Sequence, residues 1–225
     1  ITEDIKQATE VVARHPEISK SFYLQMSRGI NRILNEMVVI YPFYNYIMIV
    51  EPNGEIFAAS TRDGEGNKVA GEQLLGLNFR ENPLFSEPSS HKTIIGNPGD
   101  DPFLSMIDLK SGLSQWFIAP VMRRGELMGW VVVSYDWQNE ILALLDEITK
   151  HLIAVGNPTI EAVLTDENGN IVVSTGSTGK NFVPSPDKIW KEKLLTFGNT
   201  TMVMIIANDK TKTNISCSTR GGRSL

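Results

Sequence analysis

Two distant stretches of the chain are built on the same plan. Residues 46–61 read YIMIVEPNGEIFAAST, and residues 161–176 read EAVLTDENGNIVVSTG. In each, an apolar run meets an acidic residue, then Asn-Gly (Asn53-Gly54, Asn168-Gly169), then a second apolar run that leaves through Ser-Thr. Asn-Gly between apolar runs is a strong short-range hairpin signal, because both residues tolerate the positive φ of a tight turn. The two copies lie much farther apart than the period of a solenoid, so the expectation is two related modules, not a stack of repeats. Common hairpin grammar arising twice by chance is the alternative.

The first module offers a second hairpin. SQWFIAPVM (114–122) and MGWVVVSYDW (128–137) are rich in β-branched and aromatic residues, and Arg124-Gly125 supplies the turn between them. Four strands in an antiparallel meander, or something close to it, are expected. Upstream, apolar residues recur at three and four from Ile5 to Ile40, including Phe22, Met26, Ile30, Leu34 and Met37. This spacing predicts one long amphipathic helix broken only at Pro16, acting as a spine or pairing in a dimer. The segment 138–155 predicts a helix linking the modules. In the second module, PDKIWKEKLLTF (186–197) is expected to be a helix opened by Ser185-Pro186, and TTMVMIIAND (200–209) a strand.

Composition narrows the function classes. A formal charge of −5 argues against nucleic acid, which needs a basic face. One cysteine, Cys217, leaves no disulfide framework and no multi-cysteine metal site. No stretch reaches the ~20 apolar residues of a membrane helix. His15, His91 and His151 are scattered without metal-ligand spacing, and no G-x-S-x-G is present. GEGNKVAG (64–71) reads as a flexible loop, not a phosphate cradle, and DENGN (166–170) as a hairpin turn, not a calcium loop. Asp100 and Asp101 in NPGDDPF read as an exposed turn; a cation site there, or a hydrolase using Asp100, Asp101 or Asp136, is a weaker reading. No catalytic residue, metal site or cofactor is expected.

Attention therefore falls on the aromatic strands. Trp116, Phe117, Trp130, Tyr135 and Trp137 lie along two paired strands, and alternation sends Trp116 and Phe117 to opposite faces. Residues 61–114 are the stretch long enough to cover the open face, and such a cover makes a small-molecule pocket. Asp136 is the lone acid at the end of an apolar strand, either a ligand group or the N-cap of the next helix. GLNFRENPLFSEP (76–88) reads as a lip of that pocket, with Phe79 and Phe85 inward and Arg80 or Asn82 toward a ligand; a charged helix start is the alternative.

This order of elements resembles the double Cache sensor domain, the extracytoplasmic ligand-binding part of bacterial chemoreceptors, sensor kinases and cyclases. The likeness rests on the broken N-terminal helix at ARHPEI, the IMIVEPNGEIFAAST hairpin, NPLFSEP, the pair WFIAPVM and GELMGWVVVSYDW, and the second opening at EAVLTDENGNIVVST. It implies an α+β fold: a long N-terminal spine helix (1–45), a membrane-distal PAS-like ligand-binding module (46–137), a linker helix (138–157) and a smaller membrane-proximal PAS-like module (158–225). Amino-acid binders of the family use an Arg-x-Trp-Tyr segment and a later strand-end aspartate. Asp136 matches that aspartate; Asn82 stands where the arginine is expected, Leu84 and Phe85 where the aromatic pair is, and Arg80 comes two residues early. The resemblance thus points to Arg80, Asn82, Phe85, Phe103, Trp116, Ile118, Tyr135 and Asp136 as ligand-binding residues. It implies a membrane receptor, most simply a chemotaxis receptor, whose extracytoplasmic part binds an amino acid, organic acid or amine. Kinase or cyclase output, sensing through a solute-binding partner protein, and homodimerisation through the N-terminal helix are the further expectations.

Overall fold

The computed structural model describes residues 2–24, 26–80, 92–110, 112–154, 160–165, 171–175, 188–197 and 200–209, with the backbone alone in the last two ranges. The chain divides into two compact units, Ile1–Glu140 with Phe197–Thr200, and Ile141–Thr196 with Thr201–Leu225.

The N-terminal stretch is three helices and not one spine: α1 (Thr2–Ala13), α2 (Pro16–Tyr23) and α3 (Ser27–Val38). Pro16 makes the first break as expected, taking the first position of α2 where its missing N–H costs nothing. A second break follows Tyr23. There Leu24 N–H returns to the Lys20 carbonyl, and Met26 N–H to that of Ser21. Met26, expected on the apolar stripe, is 55% exposed. The reason is tertiary. Phe22 is buried against Gly129, where a Cβ would come within 2.9 Å of the Phe22 Cζ, and it meets Phe57 edge to face at 5.2 Å. With that ring seated on the sheet, α3 folds back to pack on α2 instead of continuing its axis.

The first unit is organised around one antiparallel sheet. Its strands are β1 (Tyr44–Val50), β2 (Ile56–Ala59), β3 (Ile94–Ile95), β4 (Gly99–Asp100), β5 (Leu113–Arg123) and β6 (Glu126–Tyr135). The order is β2-β1-β6-β5-β3, with β4 also on β5. Both expected hairpins form. Gly54 (φ 91°) turns the first, and Arg124 and Gly125 (φ 53° and 86°) turn the second. The meander does not form, because β1 pairs with β6 and not only with its own hairpin partner. IMIV and WVVV are continuous apolar runs buried on both faces, which suits central strands; a meander would have left β1 on an edge.

Helices cover one face of this sheet, α1 over β5 and β6 and α3 over β1 and β2. On the opposite face, called the front here, Tyr46, Met48, Val50, Ile118, Trp130 and Val132 form one core with Leu74, Phe79, Leu104 and Ile107 from the connections between β2 and β5. The expected cover is thus present, and among the described residues its apolar side chains fill the space over the middle of the sheet.

In the second unit, reached through α4 (Trp137–Ala154), β7 (Ile160–Thr165), β8 (Ile171–Ser174), β9 (Lys188–Phe197) and β10 (Thr200–Asp209) run in the order β8-β7-β10-β9. This repeats the order β2-β1-β6-β5: two hairpins joined through the first strand of one and the last of the other. Residues 188–197 are a strand where the 3.6-residue pattern predicts a helix. Gly-Asn at 198–199 is a hairpin signal, and pairing with the β-branched run of β10 overrides local helix preference. Ser185, Pro186, Asn168 and Cys217 lie outside the described residues.

Candidate functional site

Three strands place a row of polar side chains across the front of the first sheet. Tyr46 of β1 faces Ser134 of β6, which faces Trp116 of β5. Directly opposed residues on one face of a sheet are close enough to share a partner. Here the shared partner is Asp101, one residue past β4: its Oδ2 accepts from Tyr46 Oη at 2.8 Å, Trp116 Nε1 at 2.9 Å and Ser134 Oγ at 2.6 Å. Asp101 Oδ1 accepts the Phe103 backbone N–H at 2.9 Å. The carboxylate is 7% exposed, which corrects the reading of Asp101 as part of an exposed turn; Asp100 beside it is exposed. Neutral donors hold it, with no ion pair to Asp101 among the described residues.

The site opens at one end. Asn45 donates to Ser114 Oγ at 3.0 Å and to Ser134 Oγ at 3.2 Å. A register shift between Tyr44 and Tyr46 interrupts the alternation of β1 there, so consecutive residues both reach the network, Asn45 at Ser134 and Tyr46 at Asp101. Asn45 also lines a groove of about 370 Å³ bounded by Asp63, Glu65, Asp108, Lys110, Asp136 and Asn139. The groove is acidic, with four carboxylates and one lysine. Asp63 is itself fixed, since its Oδ1 accepts the backbone N–H groups of Glu65 and Asn67, so this part of GEGNKVAG is pinned down and not a free loop.

Asp136 caps α4: Oδ1 accepts Asn139 N–H at 3.0 Å and Oδ2 accepts Asn139 Nδ2 at 2.6 Å. The capping reading therefore holds, and the same carboxylate lines the groove. Arg80 lies elsewhere. It is exposed beside Gly54, past the last residue of β1, whereas Asp136 bonds to the Phe43 carbonyl just before its first. A seven-residue strand separates them by about 20 Å, too far for one small ligand to touch both. Phe103 and Trp116 stand together with Phe79, at ring distances of 5.9, 6.3 and 5.4 Å, and Ile118 is core next to them. Tyr135, one residue on from Ser134, turns to the other face, against Tyr44 and Phe117. Asn82 and Phe85 lie outside the described residues. Among the described residues of that segment, 76–80, no helix starts: Asn78 bridges to Glu55, and Phe79 N–H bonds the Gly54 carbonyl.

Sequence reasoning missed Tyr46, Ser134 and Asn45. A signal existed, because Ser134 and Asn45 are lone polar residues in runs otherwise apolar. Burial, and then repulsion from the Asp101 carboxylate, push the Tyr46 hydroxyl well above the usual phenol range; burial pushes Tyr44 up too. The unfolded chain releases these protons near pH 10 and the folded one does not, so stability is full below pH 10 and falls as pH rises above it. An absorbance titration is expected to show Tyr44 and Tyr46 ionising only with cooperative unfolding, and Tyr46→Phe should shrink that step. Ionisation of both near pH 10 in the folded protein would contradict it.

No family model matches the chain, and no curated protein matches it in sequence. Solved structures do. A domain of a sensory box/GGDEF family protein from Vibrio parahaemolyticus has a TM-score of 0.63 at 10% identity, over 94% of this chain and 90% of that one. The chain has the fold of a bacterial sensor domain. The extracellular domain of the histidine kinase vpHK1S-Z8 shares this sensor fold at TM-score 0.58 and 11% identity, over 94% of this chain and 85% of that one. So does the ligand-binding domain of the Campylobacter jejuni chemoreceptor Tlp3, solved with 4-methylisoleucine, at TM-score 0.56 and 10% identity, over 96% and 86%. The likeness read in the sequence thus holds at the level of fold. These relatives are sensor and ligand-binding domains, not catalytic ones. No described helix is long and apolar enough to cross a membrane, and no cluster of three metal-ligating side chains occurs among the described residues.

Proposed function

We propose that this chain is the extracytoplasmic sensor domain of a bacterial transmembrane receptor of the chemotaxis type, built of two PAS-like modules, and that it binds a small molecule carrying a protonated amine at the front of its first sheet. The observation that carries the reading is the acidic groove, linked by the hydrogen bonds of Asn45 and Ser134 to the buried Asp101. A ligand ammonium entering it meets carboxylates at Asp63, Asp108 and Asp136, and its remaining polar group meets Asn45 and Lys110. The amino-acid derivative bound by Tlp3 supports this ligand class, and the repeated strand order supports two modules of one ancestry. A kinase or cyclase receptor is the second reading, favoured by the histidine kinase and GGDEF-family neighbours.

Thermal unfolding against a panel of amino acids, amines, organic acids, purines and sugars tests this. A ligand at a hundredfold excess over its Kd adds about 2.7 kcal/mol, a rise of several degrees. The expected hit is an amine or amino acid whose shift is lost in Asp63→Ala with Asp108→Ala and kept in Arg80→Ala. A hit abolished only by Arg80→Ala would move the site to the other end of β1. No hit in a cooperatively folded protein would favour sensing through a partner protein.

A further inference from the structure

A second concavity lies where the start of α1, the turn before β1, the end of β6 and the first turn of α4 meet. It holds about 200 Å³ and shares only Pro42 with the acidic groove. Three aromatic rings line it, Tyr41, Phe43 and Tyr135, together with two carboxylates, Asp4 and Glu140. The rings are fixed by packing: Tyr41 stacks on Tyr44 at 4.7 Å, and Tyr135 meets Phe43 at 6.3 Å and Tyr44 at 6.1 Å, both edge to face. Tyr41 is 39% exposed, so one wall is open to solvent.

Glu140 makes this more than an aromatic crevice. Its Oε2 is buried and has no hydrogen-bond partner among the described residues. A buried acceptor left unpaired is costly, and a buried carboxylate more so, unless a positive charge comes to it. Burial holds the Glu140 carboxyl above the usual carboxylate range. The rings offer too few oxygen atoms to surround a hard metal ion. Their faces instead suit a weakly hydrated organic cation, attracted by the ring quadrupole within about 6 Å of the centroid.

We propose that this pocket is a binding site for a small alkylated ammonium ion, with Tyr41, Phe43 and Tyr135 against its alkyl groups and Glu140 and Asp4 balancing its charge. It stands on residues other than those of the front groove, so it holds or fails independently of the function proposed above. A ligand seated there touches the first turns of both α1 and α4.

Titration of the 225-residue chain with tetramethylammonium chloride, read by calorimetry and by thermal unfolding, tests it. Sodium chloride at equal ionic strength controls for screening, and tert-butanol, similar in shape but uncharged, controls for hydrophobic filling. Saturable binding of tetramethylammonium alone is expected. Glu140→Gln should weaken it about tenfold, and Tyr41→Ala by a similar factor, with Tyr41→Phe restoring it. Lys110→Ala, in the front groove, should leave it unchanged. Tyr41 is partly exposed, so its variants fold even where a change at Tyr135 would not. Equal binding of tert-butanol, absence of saturation, or unchanged affinity in Glu140→Gln would each overturn the proposal.

Discussion

Asp101→Ala is expected to lower the unfolding midpoint by roughly 10 °C, a large effect for one residue in the loop after a two-residue strand. The substitution removes the acceptor that Tyr46 Oη, Trp116 Nε1 and Ser134 Oγ share. Each buried donor left unpaired costs about 1–3 kcal/mol, and the Ser134 hydroxyl alone can turn to another partner. The sum is about 3–5 kcal/mol, at a few degrees per kcal/mol for a chain of this size. Asp101→Asn keeps an acceptor oxygen and the shape, and should lose only about a third as much. Were Asp101 an ordinary surface acid, both variants would lie within about 0.5 kcal/mol of the parent. Paired melts of the two variants against the parent decide the matter.

Gly71→Ala is the second large effect. Gly71 opens the 3-10 turn Gly71–Leu74 that delivers Leu74, fully buried, to the front core. A Cβ on Gly71 would lie 1.8 Å from the Ser60 carbonyl oxygen and 2.8 Å from its carbon, both backbone atoms at the exit of β2. A side-chain tip could swing aside; this carbonyl cannot without moving the strand. Overpacking of this kind costs about 3 kcal/mol or more, and the strain falls on the cover over the front face. Gly99→Ala, whose Cβ would meet nothing within 4 Å, is the control and should change stability by less than about 0.5 kcal/mol. Equal melting of the two variants would mean that the turn does not sit against Ser60 as described.

What the sequence made legible follows the range of the interactions involved. The hairpins at Asn53-Gly54 and Arg124-Gly125 were readable because a tight turn is decided by residues adjacent in the chain. Pro16 was readable for the same reason. The second helix break was not, since it depends on Phe22 meeting Gly129 and Phe57, contacts made only once the sheet exists. The misreading of 188–197 has the same origin, a local helical pattern overruled by pairing with β10. At the site, Trp116, Phe103 and Ile118, expected to bind ligand, lie together on the covered face, where strand alternation and the long connection after β2 bring them. Asp101 was misjudged. Its neighbours Gly99, Asp100 and Pro102 give it the composition of an exposed turn, and nothing local shows that β4 docks on β5 and carries it over Tyr46 and Ser134. Arg80 and Asp136 were set on one ligand from their places in the chain, yet the whole of β1 lies between them.

The central claim is that a small molecule is held at the front of the first sheet, between the Asn45–Ser134–Asp101 network and the acidic groove. Amide hydrogen exchange, with and without the compound that most raises the melting midpoint, tests it most directly. The account predicts added protection at residues 44–46, 63–67 and 99–110 and at the first turn of α4. Protection confined to the strands of the second unit, or to residues around Gly54 and Arg80 alone, would contradict it.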